Sequence, residues 1–197
     1  MGRSETQELR TSFQKRFRHN WQASGTYSLR YFWDAEPPPF SGTDPVPFAT
    51  APDLGGEWSL GAGDQRHRAT FSGIWDVGKG FQTSVVQYVG SGTRMATTWG
   101  TDLRDIQGNG GTQRLRPDGS IIPRNNLVGP AQRRTDLRFQ QRIKLHGRMA
   151  IDGIAEIFNV FNSPNYVVGT QENQPQFYNK PTSGEYRTAQ FGVRFVF

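Results

Sequence analysis

Apolar and polar positions alternate with a period of two along most of the chain, and helical spacing is almost absent. The C-terminal stretch is the clearest case. Ala189, Phe191, Val193, Phe195 and Phe197 fall on one face, and Thr188, Gln190, Gly192, Arg194 and Val196 on the other. In 135–145, Leu137, Phe139, Ile143 and Leu145 oppose Asp136, Arg138, Gln140, Arg142 and Lys144. In 21–34, Trp21, Ala23, Gly25, Tyr27, Leu29, Tyr31 and Trp33 oppose Gln22, Ser24, Thr26, Ser28, Arg30 and Asp34, with Phe32 out of phase. Segments 8–18, 66–77 and 149–160 alternate more loosely. A seventh segment, 81–90, carries Val86 and Tyr88 on its polar face.

These segments run to about 10–13 residues. Soluble strands average about 5–6, whereas a tilted strand crossing a bilayer needs about 9–11. The connections alternate in kind. Short turns lie at His19-Asn20, Gly78-Lys79-Gly80 and His146-Gly147, and long loops at 35–65, 91–132 and 162–185. The apolar face carries no internal formal charge except Lys15 and Arg187. An Arg or Lys on a lipid face costs about 2–4 kcal/mol at the midplane and little at the interface. Phe17, Trp21, Trp75, Phe81 and Phe197 gather at the level of the short turns, as an interfacial aromatic girdle would. The fold class expected is all-β: an antiparallel transmembrane β-barrel segment with short periplasmic turns and long extracellular loops. Seven strands do not close a bacterial barrel, and an open sheet edge in lipid leaves backbone groups unpaired. Residues 1–197 are therefore expected to be part of a larger barrel. The charged N-terminal sequence, which shows no secretory leader, agrees with that expectation. A two-layer β-sandwich also alternates and is the soluble alternative.

Composition narrows the chemistry. The chain has 197 residues, 34% hydrophobic yet 13% aromatic, with 23 Gly and no Cys. The aromatics argue against disorder. The absence of Cys excludes disulfides, thiolate metal sites and a Cys nucleophile. The net charge of +6 permits an anionic partner. The basic residues are spread over strands and loops without a nucleic-acid-binding motif, so no nucleic acid is expected.

Few residues suggest catalysis. Asp152 and Glu156 share a strand face about 13 Å apart, beyond the roughly 5–9.5 Å of a glycosidase pair. They read instead as partners for Arg138, Arg142 or Arg194. Ser12 and Lys15 match S-x-x-K by letter but fall on opposite faces of a strand. His19, His67 and His146 show no zinc spacing. Asp102, Asp105 and Asn109 in a Gly-rich loop are candidate calcium ligands without EF-hand spacing. No enzyme activity and no cofactor is expected. Arg66, Arg68, Arg138 and Arg142, with Arg133 and Arg134, are expected near the external half of the polar face. They would form either an anion-attracting vestibule or a salt-bridged wall.

Specific strings then carry a resemblance. The run 8–18 (ELRTSFQKRFR) followed by 21–29 resembles a hairpin of large TonB-dependent receptors, and 64–77 (DQRHRATFSGIWDV) resembles their D-x-R-H-R-x-x-x-S-G-x-Y strand. Segments 134–145, 155–162 (AEIFNVFN) with Asn165-Tyr166, and 190–197 (QFGVRFVF) resemble their last three strands. The likeness is to the subgroup with an N-terminal carboxypeptidase-regulatory-like domain. It implies the C-terminal part of a 22-stranded outer-membrane barrel that imports or binds a bulky ligand. No plug domain, TonB box or regulatory-like domain is found, so TonB would act only through a plug absent from this sequence. The resemblance also implies that Phe191, Val193, Phe195 and Phe197 form the signal read by the barrel assembly machinery. The implied location is the outer membrane, with its lipid as partner and the ligand unidentified. The rival readings are a soluble sandwich whose Arg-rich loops bind acidic glycans, and a small oligomeric outer-membrane adhesin or enzyme.

Overall fold

The computed structural model describes residues 3–35, 57–101, 103, 114–178 and 181–197. Alternation becomes strand throughout, and no α-helix occurs among these residues. In chain order the strands are β1 (Ser4–Arg18), β2 (Trp21–Asp34), β3 (Ser59–Leu60), β4 (His67–Gly78), β5 (Phe81–Gly90) and β6 (Arg94–Met95). They continue as β7 (Leu127–Val128), β8 (Gln132–Lys144), β9 (Ala150–Phe158), β10 (Val167–Val168), β11 (Pro181–Ser183) and β12 (Thr188–Val196). The seven alternating segments are the seven long strands. They form one antiparallel sheet in the order β1-β2-β4-β5-β8-β9-β12, with β3 pairing the end of β2. The sheet is open: among the described residues neither β1 nor β12 has a second strand partner.

The tight turns follow from their residues. His19 and Asn20 take φ of 56° and 66°, and Lys79 and Gly80 take 54° and 79°. Two consecutive residues at positive φ make the turn whose twist suits a two-residue hairpin. The third hairpin turns at Gly147, with φ 66°, and closes through the Leu145 N–H to the Met149 carbonyl at 2.9 Å.

Register links these turns to strand inclination. One cross-strand rung runs Trp21, Trp75, Thr83, Phe139, Ala155, Phe191. It starts at the residue leaving the first turn, yet Phe139 lies seven residues before His146 in the third. That offset is about six residues at about 3.3 Å each, or about 20 Å, over four strand spacings totalling about 19 Å. Relative to the line joining the tight turns, the strands incline by about 45°.

Little apolar surface is buried. Among the described residues the buried apolar side chains are Ala23, Ile122, Ala150 and Val168. Two of these lie outside the main sheet, where three long connections lock together at the end opposite the tight turns. Gly63 N–H donates to Arg94 O at 2.9 Å, Thr98 N–H to Thr170 O at 3.0 Å, and Asn125 Nδ2 to Leu60 O at 3.0 Å.

Candidate functional site

The two faces of the sheet differ in chemistry. In an antiparallel pair, residues directly opposite share a face, so the register assigns each side chain. The apolar face carries Leu9, Phe13, Trp21, Tyr27, Phe71, Trp75, Val85, Leu137, Phe139, Ile143, Ile151, Ile157, Phe191, Val193 and Phe195. Nothing covers it among the described residues: Phe13, Trp75, Ile143 and Phe191 are all exposed, Phe191 at 84%. Phe191, Val193 and Phe195 line the open edge along β12, and Phe197 follows at 97% exposure.

Cations and acids reach this face only near its ends. Lys15 folds back onto the Trp21 ring at 3.8 Å and donates to the Arg18 and Trp21 carbonyls at 2.8 and 3.0 Å. Simple alternation puts Arg18 on the polar face. A register break between Lys15 and Arg18 instead sets Arg18 opposite Trp21, since a bulge shifts every residue beyond it. Glu5 and Arg133 join the same face at the loop end. Arg187, expected on this face, lies in the approach to β12, where its N–H donates to Asn162 Oδ1 at 3.0 Å.

The polar face is built in charged rungs. Arg142 on β8 and Arg194 on β12 flank Asp152 on β9. Arg142 donates through Nε to Oδ1 at 2.7 Å and through Nη2 to Oδ2 at 2.8 Å, and Arg194 Nε reaches Oδ2 at 3.0 Å. Asp152 is fully buried beneath the two guanidinium groups. Two rungs nearer the loops, Arg138 reaches Glu156 at 3.2 Å, and Glu156 also accepts from Gln190. On the first strands hydroxyls replace the charges: Ser24 meets Ser72 at 2.7 Å and Thr26 meets Thr70 at 2.6 Å.

The four expected vestibule arginines do not form one patch. Arg66 lies 3.4 Å from Asp64 and sits over the Tyr31 ring. Arg68 lies over Tyr88, which explains why an aromatic occupies the polar face of β5. Arg138 is mid-strand. Arg142 is at the tight-turn end, where its N–H donates to Gly80 O at 2.8 Å, far from the long connections where it is expected. The reason is the strand stagger, which carries the third hairpin far beyond the rung shared with the first.

The string 155–162 has a structural explanation. Asn159, Asn162 and Asn165 all take positive φ, a region that Asn tolerates. Fully buried Asn159 accepts the Ser163 N–H at 2.9 Å and donates to Ser163 O at 2.7 Å. Asn165 accepts the Arg133 N–H at 2.8 Å and donates to Glu185 Oε2 at 2.7 Å. These residues turn the chain out of β9 and pin it to β8 and to the approach to β12.

Ion pairs clasp the long connections. Arg116 grips Glu172 through Nε at 2.6 Å and Nη2 at 2.9 Å. Hydrogen bonding to Glu172 holds the Arg116 guanidinium above its usual range. Arg114 pairs with Glu57 and Arg124 with Asp34. Arg124 Nη1 also donates to Asp34 O at 2.7 Å. Local pattern carries no signal for these pairs, because each joins residues more than fifty positions apart in sequence.

Among the described residues no cluster of three or more His, Asp or Glu could hold a metal. Ser12 pairs with Thr26 on the polar face while Lys15 points to the other, so the two do not meet. The expected calcium ligands Asp105 and Asn109, with Asp102, lie outside the described residues. No helix among them is long and apolar enough to cross a membrane. Comparisons of the chain with protein families, with characterised proteins and with solved structures find no match.

Proposed function

We propose that this chain is a wall of an outer-membrane β-barrel, the C-terminal part of a TonB-dependent receptor that takes up or binds a bulky ligand. The observation that carries the membrane reading is the uncovered apolar face opposite a charged, hydrogen-bonded one. Leu9, Phe13, Phe71, Trp75, Ile143, Phe191, Val193 and Phe195 are all exposed on that face. Fully burying such side chains is worth about 1.5–3 kcal/mol each, and these eight stand 44–84% exposed, so leaving them in water forgoes on the order of 7–15 kcal/mol. The whole net stability of a folded domain is about 5–15 kcal/mol. Lipid supplies the missing burial. The inclination of about 45° matches the tilt of membrane-spanning strands, and the charged ends match the depth dependence of an Arg or Lys on a lipid face.

In this reading the Arg–Asp and Arg–Glu rungs line the wet interior. The clasped connections stand outside the cell, and β1 and β12 pair with further strands, since an open edge in lipid leaves N–H and C=O groups unsatisfied. The receptor assignment rests on the resemblance of segments 8–29, 64–77, 134–166 and 190–197. Phe191, Val193, Phe195 and Phe197 would then serve both lipid contact and delivery to the assembly machinery. The role is structural and transport-related, not enzymatic.

Cell fractionation tests the reading. An antibody against an external loop should find the protein in the outer membrane, resistant to carbonate and migrating faster on gels when unheated. Recovery in the soluble fraction would overturn the proposal and favour a sandwich that covers the apolar face with a second sheet.

A further inference from the structure

We infer that the outward face of the first two hairpins holds one phospholipid with an anionic headgroup, at the tight-turn edge. This deepens the membrane reading and rests on it. The side chains leave a groove of about 580 Å³ there, with Trp21, Ala23, Phe71, Gly73, Trp75 and Val85 among its walls. That volume is within the ~300–1,000 Å³ of small-molecule sites. It exists because Ala23 and Gly73 stand directly opposite each other, while Trp21 and Trp75 pair one rung nearer the turn. Small residues thus form the floor and large rings the rim, with Thr83 on the outward face and His19 at the turn among the polar groups that line it.

Two cations adjoin Trp21, one wall of the groove. Lys15 lies over Trp21, and its hydrogen bonds all go to backbone carbonyls of Arg16, Arg18 and Trp21. Neutral carbonyls solvate the ammonium group without cancelling its charge. The bulge places Arg18 on the same face, opposite Trp21. The acid of the neighbouring hairpin, Asp76, faces the other way and accepts the Gly78 N–H at 3.0 Å. An acyl chain in the groove with its phosphate between Lys15 and Arg18 satisfies both features. A free anion would leave the groove unused, and a neutral lipid would leave the charge unmatched.

Native mass spectrometry of the full chain extracted from membranes in mild detergent, titrated with phosphatidylglycerol or phosphatidylcholine, tests this. One phosphatidylglycerol should stay bound under activation that strips phosphatidylcholine. Lys15→Gln with Arg18→Gln should weaken phosphatidylglycerol binding about thirtyfold, from about fivefold per interfacial cation. Gly73→Leu fills the groove, leaves the cations in place, and should reduce retention of both lipids. Each variant is first checked for the heat-shifted gel band of a folded barrel. A folded, membrane-extracted protein that holds both lipids equally, or variants that bind like the parent, would overturn the lipid site alone. A protein that never enters the membrane fraction would instead overturn the reading beneath it.

Discussion

Arg194 stands directly opposite Asp152 in the register of the last two strands of the sheet, and its Nε donates to Asp152 Oδ2 at 3.0 Å. Arg142 holds the same carboxylate from the other side at 2.7 and 2.8 Å. One buried acid therefore ties three neighbouring strands together on the polar face. Removing one member of a charge network harms most when it strands the others.

Asp152→Asn should therefore cost more than Arg142→Gln. The first leaves two guanidinium groups facing each other without a counter-charge, while the second leaves the Arg194 pair in place. The temperature at which the unheated gel band disappears should fall by several degrees for Asp152→Asn and by less for Arg142→Gln. Equal shifts would argue that the three groups do not act as a unit.

Gly80→Ala should destabilise the second hairpin more than Gly78→Ala. Both glycines have positive φ, 79° and 99°. A Cβ on Gly80 collides with the backbone carbonyl of Arg142, whereas one on Gly78 meets nothing within 4 Å. Backbone strain of this kind is worth about 1–3 kcal/mol, and the collision adds to it at Gly80. Urea unfolding in lipid vesicles measures the difference.

Much of this arrangement is legible in the sequence, because period-two alternation reports the two faces directly. It fails where a side chain's reason lies on another strand. Tyr88 sits on the polar face to bond Gln65 at 3.1 Å and to support Arg68, and neither partner is visible from 81–90 alone. Arg18 changes face through a bulge that alternation does not encode. The position of Arg142 depends on stagger accumulated over several strands. The long connections show no periodicity because they are held by distant ion pairs and by short strands of two or three residues. Ile122, the most buried apolar residue among those described, belongs to them.

Charge reversal at Lys15 should impair assembly more than charge removal. Lys15→Met keeps an apolar stem against Trp21, whereas Lys15→Glu places an acid beside backbone carbonyl oxygens on the outward face. Outer-membrane yield of Lys15→Glu should fall several-fold while Lys15→Met stays near the parent, as quantitative blots of membrane fractions would show.

Arg116→Gln should loosen the clasp to Glu172 and raise protease cutting within 114–122, with the sheet intact. The Asp118 carboxyl nearby is held below its ordinary 3.8 by the Ser120 hydroxyl and N–H. A depressed carboxyl stabilises above its unfolded value and loses that effect as pH falls through the folded one. Cutting should therefore be the same at pH 7 and pH 5, and rise only below about 3.8. Asp118→Asn should remove that acid dependence.

The most direct test of the two-faced wall uses the absence of cysteine in the chain. Single cysteines placed in turn from Thr188 to Val196, each carrying a fluorophore, can be read in native membranes. Brominated lipid should quench positions 191, 193 and 195, and aqueous iodide should quench 190, 192 and 194. Iodide quenching at all six positions, with no effect of brominated lipid, would contradict a membrane-facing β12 and the barrel reading with it.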